Sequence, residues 1–236
     1  MLATQSFEKI RLIGVAIALV LSGEFSLAQQ SSESGSSASF KSAELVSATD
    51  VPYPAQSIAI GTVVLEVIVG EKGKVEDVQP IREIESLTEV AIDSVRSWQF
   101  NPASSEGKQV RSRTAIAVTF NPAAIPAANV PLPPLSPKAH SRTDTLQPQP
   151  VDVEAAAFPQ YPVNSIASGT VVLRVNVDET GRVENTVAVR RIPSLTSPAI
   201  RALREWKFKP AEFDGKPLPS SIALAFVLRP PLPRTP

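Results

Sequence analysis

The chain has 236 residues, with 23 Lys and Arg against 23 Asp and Glu, one His and no Cys. The lack of Cys excludes a disulfide scaffold, a thiolate metal site and a Cys nucleophile, and the lone His140 excludes a multi-His zinc site. Zero net charge gives no electrostatic footprint for nucleic acid. We therefore expect no metal, no cofactor and no nucleic-acid partner.

The N-terminus, residues 1–28, has the layout of an export signal. Lys9 and Arg11 precede an apolar run from Leu12 to Leu21, and small residues lead up to Ala28. Only twelve consecutive residues from Leu12 onward lack charge, whereas crossing a bilayer takes about 20. Cleavage after Ala28 is favoured over retention as an anchor, and both alternatives export the rest of the chain. The Ser-rich residues 29–50 that follow are predicted to be disordered.

Residues 51–122 recur as residues 159–229, at an offset of 108 residues and without a gap. We call these segments copy one and copy two. The clearest matched positions are Tyr53-Pro54 with Tyr161-Pro162, Gly73 with Gly181, and Trp98 with Trp206.

The sequence of each copy predicts two strands, a helix and a third strand, in that order. In copy two, valines and leucine alternate with polar residues from Val171 to Val177, which predicts a half-buried strand. A turn at Gly181 leads into a second strand from Val183. A helical apolar stripe then runs from Leu195 to Trp206. Alternation predicts third strands with inward residues at Thr114, Ile116, Val118 and Phe120 in copy one and Ile222, Leu224, Phe226 and Leu228 in copy two.

These elements predict an α+β protein of two small domains, each a three-stranded antiparallel sheet covered on one face by a helix. Trp98 and Trp206 end the helical stripes, which favours a place in the core over ligand stacking. Residues 123–158 form a Pro-rich linker, with eight prolines between Pro122 and Pro150, and residues 230–236 form a Pro-rich tail. A stiff polyproline spacer is expected to keep the two copies apart.

The combined motif resembles the C-terminal domain of TonB-family energy transducers, present here twice. The residues that carry it in copy two are Tyr161-Pro162, Gly169-Thr170-Val171, Asp178 to Val183, Trp206 to Ala211 and Gly215-Lys216-Pro217. Copy one is a weaker match, since Gly70 stands in place of the Asp and Gln109 in place of the final Pro.

The resemblance implies a periplasmic protein that binds a short peptide of an outer-membrane transporter, powered by an inner-membrane motor of the ExbB and ExbD type. In that family the peptide adds as a strand beside the third strand of the sheet. The docking edges implied here are Thr114 to Phe120 and Ile222 to Leu228.

Several alternatives stay open at this point. The apolar N-terminal segment has no His, whereas the anchor of the family uses a Ser and a His. Two hypotheses therefore remain: a protein coupled to the motor, and a scaffold that bridges envelope proteins without energy coupling. Association of two chains is also left open. Copy one carries seven basic and nine acidic residues, and copy two carries ten basic and six acidic residues. This difference indicates that the copies bind different partners, that they bind each other, or that a solvated face has drifted in sequence. No catalytic constellation is visible, so we expect no enzyme.

Overall fold

The computed structural model describes residues 40–122, 129–130, 132–137 and 146–230. The predictions made for residues 1–28, for residues 29–39 of the Ser-rich segment and for the tail beyond Pro230 fall outside these ranges.

Copy one and the residues just before it form seven strands and one helix within residues 40–122. The predicted order is found in β2, β3, α1 and β7, and four short strands are added to it. The elements are β1 (Glu44–Ser47), β2 (Gly61–Val69), β3 (Val75–Arg82), α1 (Glu85–Val95), β4 (Gln99–Asn101), β5 (Ala103–Ser105), β6 (Lys108–Val110) and β7 (Ser112–Pro122).

Copy two repeats this order within residues 146–230, after a two-residue strand, β8 (Asn129–Val130). A short 3₁₀ turn, Leu203–Glu205, extends its helix. The elements are β9 (Asp152–Ala157), β10 (Gly169–Val177), β11 (Val183–Arg190), α2 (Pro193–Ala202), β12 (Lys207–Lys209), β13 (Ala211–Phe213), β14 (Lys216–Leu218) and β15 (Ser220–Arg229).

The two copies share one six-stranded sheet, in the order β11-β10-β15-β7-β2-β3. Each copy contributes three antiparallel strands, and β7 and β15 join them as a parallel pair at the centre. The α+β class is confirmed, with two sheet-rich halves. The prediction that the spacer keeps the copies apart is wrong, because both halves belong to one compact unit.

The helices lie on opposite faces of this sheet. Leu87 of α1 packs with Leu65 of β2, whereas Leu195 of α2 lies in a second core that also contains Val64. Successive residues of a strand point to opposite faces, so Val64 and Leu65 mark the two sides. Because β7 and β15 are parallel, a half-turn about the strand direction relates the copies, and this operation exchanges the faces.

The segments before each copy cover the face that the helix of the other copy leaves open. β1 pairs with β4, and its Leu45 lies in the core with Val172 of copy two. β9 pairs with β12, and its Val153 lies in the core with Ala115 of copy one. β1 falls inside the segment predicted to be disordered and β9 inside the predicted linker, so neither prediction holds for these strands. The composition of these two segments did not show that their few apolar residues cover the open faces of the sheet.

Gly73 and Gly181 have a backbone geometry that requires glycine. Their φ angles are 75° and 84°, in the left-handed region. A Cβ on Gly73 would lie 1.9 Å from the Phe100 carbonyl oxygen, and one on Gly181 would lie 2.2 Å from that of Phe208. The turn predicted from this glycine is therefore confirmed, and it is tied to the strand that follows the helix.

Both tryptophans are buried, as the helical stripes predicted. Trp98 is fully buried, and Trp206 is 6% exposed. The indole Nε1 of Trp206 donates to the carbonyl oxygen of Ala157 at 3.0 Å, which fastens β9 to copy two. Its ring also meets the Phe226 ring edge-on, with 5.8 Å between centroids.

We predict that Trp206→Ala lowers the free energy of unfolding by about 3–5 kcal/mol, the cost of removing a buried aromatic ring. Chemical denaturation of the full chain followed by circular dichroism measures it. Ile166→Ala is the control, because Ile166 is 91% exposed and should change stability by less than about 0.5 kcal/mol. A loss below about 1 kcal/mol for Trp206→Ala would contradict its role in the core.

Candidate peptide-binding strands

The two predicted docking strands lie side by side at the centre of the sheet. Thr114, Ile116, Val118 and Phe120 belong to β7, and Ile222, Leu224, Phe226 and Leu228 belong to β15. All eight side chains are buried. The apolar residues of the β7 set pack in the core under α1, and those of the β15 set pack in the core under α2.

The backbone edges of these strands are already occupied. β15 pairs with β7 from Ile222 opposite Ala115 to Arg229 opposite Pro122, while its other side pairs with β10. The Thr114 hydroxyl adds a bond to the Ser221 carbonyl oxygen at 3.2 Å. The expectation that the third strands are open edges is therefore not met, because each third strand occupies the edge of the other.

This pairing has a simple physical cause. The third strand is the free edge of its own copy, and an exposed edge is a template for another strand. A tether gives the second copy a high effective concentration at that edge. The parallel arrangement places the helices on opposite faces, so the two edges meet without a clash between helices.

The outer edge of β3 is partly covered by the chain itself. Residues 132–137, which we call the cap segment, run along the end of β3, with Leu135 antiparallel to Arg82. The Ser136 N–H donates to the Ile81 carbonyl oxygen at 2.7 Å, and Arg82 Nη1 donates to the Pro133 carbonyl oxygen at 2.8 Å. Part of the predicted linker thus acts as an extra, irregular strand.

The Tyr-Pro pairs fix the loops in front of β2 and β10. The carbonyl oxygens of Pro54 and Pro162 accept bonds that close tight turns, at 3.1 and 3.0 Å. The Tyr53 hydroxyl donates to the Ala59 carbonyl oxygen, and the Tyr161 hydroxyl donates to that of Ala167 at 2.5 Å. These motif residues have a structural role in this arrangement.

Tyr53 also joins the two copies. The guanidinium carbon of Arg229, at the end of β15, lies 4.3 Å from the centroid of the Tyr53 ring, and Arg229 donates to the Tyr53 carbonyl oxygen. Burial raises the pKa of the Tyr53 hydroxyl, and the charge of Arg229 opposes that shift. The cation and the ring thus hold the start of copy one against the end of copy two.

Two other charged sites have structural roles. Arg113 Nε lies 3.6 Å from Glu66 Oε1, and burial, assisted by Arg111, lowers the pKa of the Arg113 guanidinium. In the turn after β10, a hydrogen bond from the Thr180 hydroxyl is the main cause of a lowered pKa at Asp178. Asp178 therefore organises the hairpin turn.

The comparisons with known proteins agree with this repeat. The model of the family described as the Gram-negative bacterial TonB protein C-terminal matches residues 51–122 and 154–228, more than half of the chain. The chain belongs to the TonB C-terminal family. Searches of curated proteins and of solved structures found no match.

TonB C-terminal domains are protein-interaction domains of the cell envelope that interact with outer-membrane transporters. Among the described residues, no cluster of three or more His, Asp or Glu is placed to hold a metal ion. No helix in the same part of the chain is long and apolar enough to span a membrane.

One signal for the central position of the third strands was present in the sequence. In β15, Ala223 and Ala225 fill the positions between the inward residues, where a strand with one solvated face would carry polar side chains. Both alanines are buried in the core under α1. A continuous apolar run is typical of a strand buried on both faces, and this run predicts an interior strand better than an edge.

We predict that Ala225→Pro destabilises the protein by on the order of 3 kcal/mol, because proline removes a ladder hydrogen bond in an interior strand. Ala225 pairs with Val172 on one side and Val118 on the other. The matched control is Ala188→Pro in the outer strand β11, because Pro80 occupies that position in copy one. Thermal unfolding compares the two variants, and equal losses would contradict the interior placement of β15.

Proposed function

We propose that this protein is a TonB-like protein of the periplasm that binds extended peptide segments of outer-membrane transporters by strand addition. The observation that carries the proposal is the tandem match to the TonB C-terminal family. Main-chain hydrogen bonds would supply affinity, and alternate side chains of the peptide would supply selectivity. The sheet of this chain ends in two outer strands, β3 and β11, and an outer strand is in general a template for a further strand.

The third strands are the family's place for such a peptide. At Thr114 to Phe120 or Ile222 to Leu228, the incoming segment would have to replace the neighbouring copy, because β7 and β15 pair with each other. Under this form of the proposal, the paired state is a closed form and peptide binding separates the two halves. Separation would expose the apolar core residues of both strands to water.

Energy transduction is the further part of the proposal. It requires the apolar segment from Leu12 to Leu21 to stay in the inner membrane and to engage a motor of the ExbB and ExbD type. That segment contains no His.

A scaffold without energy coupling is the second candidate, and the β7–β15 pair favours it. With both third strands occupied, the two halves form one body with two differently charged ends. The net charges are minus two for copy one and plus four for copy two. Such a body would bridge two envelope proteins of unlike charge.

We predict that N-terminal peptides of outer-membrane transporters cause saturable amide shifts on strands of the sheet in the full chain. Nuclear magnetic resonance titration with a panel of such peptides measures this, and scrambled peptides of the same composition are the control. If no peptide shifts any strand amide, transporter binding is refuted and the scaffold function takes its place.

We also predict that the mature chain begins at Gln29, because the charge-free run is too short to span a bilayer. Cell fractionation and sequencing of the mature N-terminus measure this. A chain that keeps its first residues and stays with the inner membrane would contradict the prediction and favour energy transduction.

A further inference from the structure

β11 forms one outer edge of the six-stranded sheet, and that edge is open. Among residues 40–122, 129–130, 132–137 and 146–230, no strand or isolated bridge pairs with its outer side. β3, the opposite outer strand, carries the cap segment at its end. Since an open edge presents unpaired N–H and C=O groups, β11 is the better template for an added strand.

The side chains of the two outer strands also make β11 the better template for an added strand. β3 carries Asp77 and Pro80, and both charged residues and proline are devices that keep outer strands from pairing. The equivalent residues of β11 are Asn185 and Ala188. β11 therefore lacks these two devices, although it occupies the same place in its own copy.

The backbone of Ala188 faces outward. Its carbonyl oxygen accepts a hydrogen bond from the Arg191 side chain, with Nε at 3.3 Å. Pro80 has the same register, since Pro80 pairs with Leu65 as Ala188 pairs with Leu173. Proline is tolerated in an outer strand where the missing N–H would face solvent. The N–H and C=O groups of Ala188 are therefore offered to an incoming strand, once Arg191 moves aside.

The cap segment shows the kind of chain that such an edge accepts. Its Leu135 lies antiparallel to Arg82, and its Ser136 N–H donates to the carbonyl oxygen of Ile81. The carbonyl group equivalent to that of Ile81 belongs to Val189 in β11. An extended segment can thus make its first backbone bond to β11 at the same position.

The charges around β11 indicate which kind of segment its edge would bind. Arg182, Arg204 and Lys207 line a groove of about 450 Å³ at the start of β11, together with one carboxylate, Glu154. Arg191 stands just beyond the other end of the strand, and the one carboxylate on β11 itself is Glu184, so cations outnumber carboxylates around this edge. A second copy of this chain would bring the same positive charges against themselves, so charge complementarity favours an acidic partner.

The geometry points to the outer edge of β11, from Thr186 to Val189, as the docking site for an extended acidic segment of a partner protein. The segment adds next to β11 as a further strand, and its carboxylates meet the cations at both ends. This inference rests on the proposed function, since it names the edge and the charge of the peptide. It places the peptide on the second strand of copy two and leaves the β7–β15 pair intact.

The test uses the full chain and a designed peptide of about six residues, the usual strand length, in which Glu alternates with Thr and Val. Amide hydrogen exchange should be fast at Ala188 in the free protein and slow with the peptide bound, and the Thr186 N–H, which donates to Asn185 Oδ1 at 2.8 Å, should change its partner to the peptide. Ala188→Pro should weaken binding about tenfold, because it removes an outward N–H. Pro80→Ala in the protein should leave the affinity unchanged. A peptide with Lys in place of each Glu should bind more weakly, and the difference should be greatest at low salt.

Asn185→Asp is the second variant and serves if Ala188→Pro fails to fold. It gives β11 the acidic residue of β3 and should also weaken binding of the acidic peptide. Peptide-induced shifts on β7 and β15 instead of β11 would overturn the inference. So would an Ala188 amide that is protected in the free protein, or protection of that amide that grows with protein concentration, because these show that the chain itself or a second copy occupies the edge.

The transporter peptides separate this inference from the proposed function. If they bind at β7 and β15, the function stands and the β11 site is overturned. If the designed acidic peptide binds β11 and no transporter peptide binds, the site stands and the transporter function is overturned.

Discussion

The parallel pair of β7 and β15 is the interaction on which the rest of the structure depends. Each strand would be the exposed edge of its own copy, and pairing satisfies both rows of backbone N–H and C=O groups at once. The pair turns two half-sheets into one sheet whose central strands are buried on both faces. A small repeat that covers only one face by itself gains a complete core from its neighbour.

The placement of the helices and of the covering strands follows from this pair. Parallel third strands put α1 and α2 on opposite faces, so each half-sheet keeps one bare face. β1 covers the bare face of copy two, where Arg174 donates to the Leu45 carbonyl oxygen at 3.2 Å and lies 3.4 Å from Glu44. β9 covers the bare face of copy one, where Asp152 lies 3.8 Å from Arg82. These partly exposed ion pairs contribute little energy, so apolar cover accounts for most of the stabilisation.

The same pairing decides which strands lie at the edges of the sheet. Each third strand is paired on both sides, so its backbone groups hold the two halves of the sheet together. The outermost strands are the second strands, β3 and β11, which are alike in register and unlike in chemistry. β3 has Asp77, Pro80 and a cap segment, whereas β11 has Asn185 and Ala188 at those positions and basic neighbours; both strands carry one glutamate, Glu76 or Glu184. The duplication thus gives one sheet with two non-equivalent ends, which two separate domains would not provide.

The sequence by itself determined the repeat, the order of its main elements, the turn glycines, the buried tryptophans and the family. These features depend on local patterns, namely the periods of strand and helix and the residues that a positive φ requires. Local patterns did not predict the short strands β1 and β9, because neither has a long apolar pattern. Each of these strands is stabilised by the copy that it covers.

Only the tertiary structure decided that the two copies form one sheet. Alternation shows which residues of a strand face a core, but it does not show which strand lies beside it. The apolar residues between the inward residues of both third strands, such as Ala117 and Ala225, were a local sign of a second buried face, and they did not identify the neighbouring strand. Pairing between strands about 100 residues apart depends on which edges are left open once each half has folded, and that is a property of the whole fold.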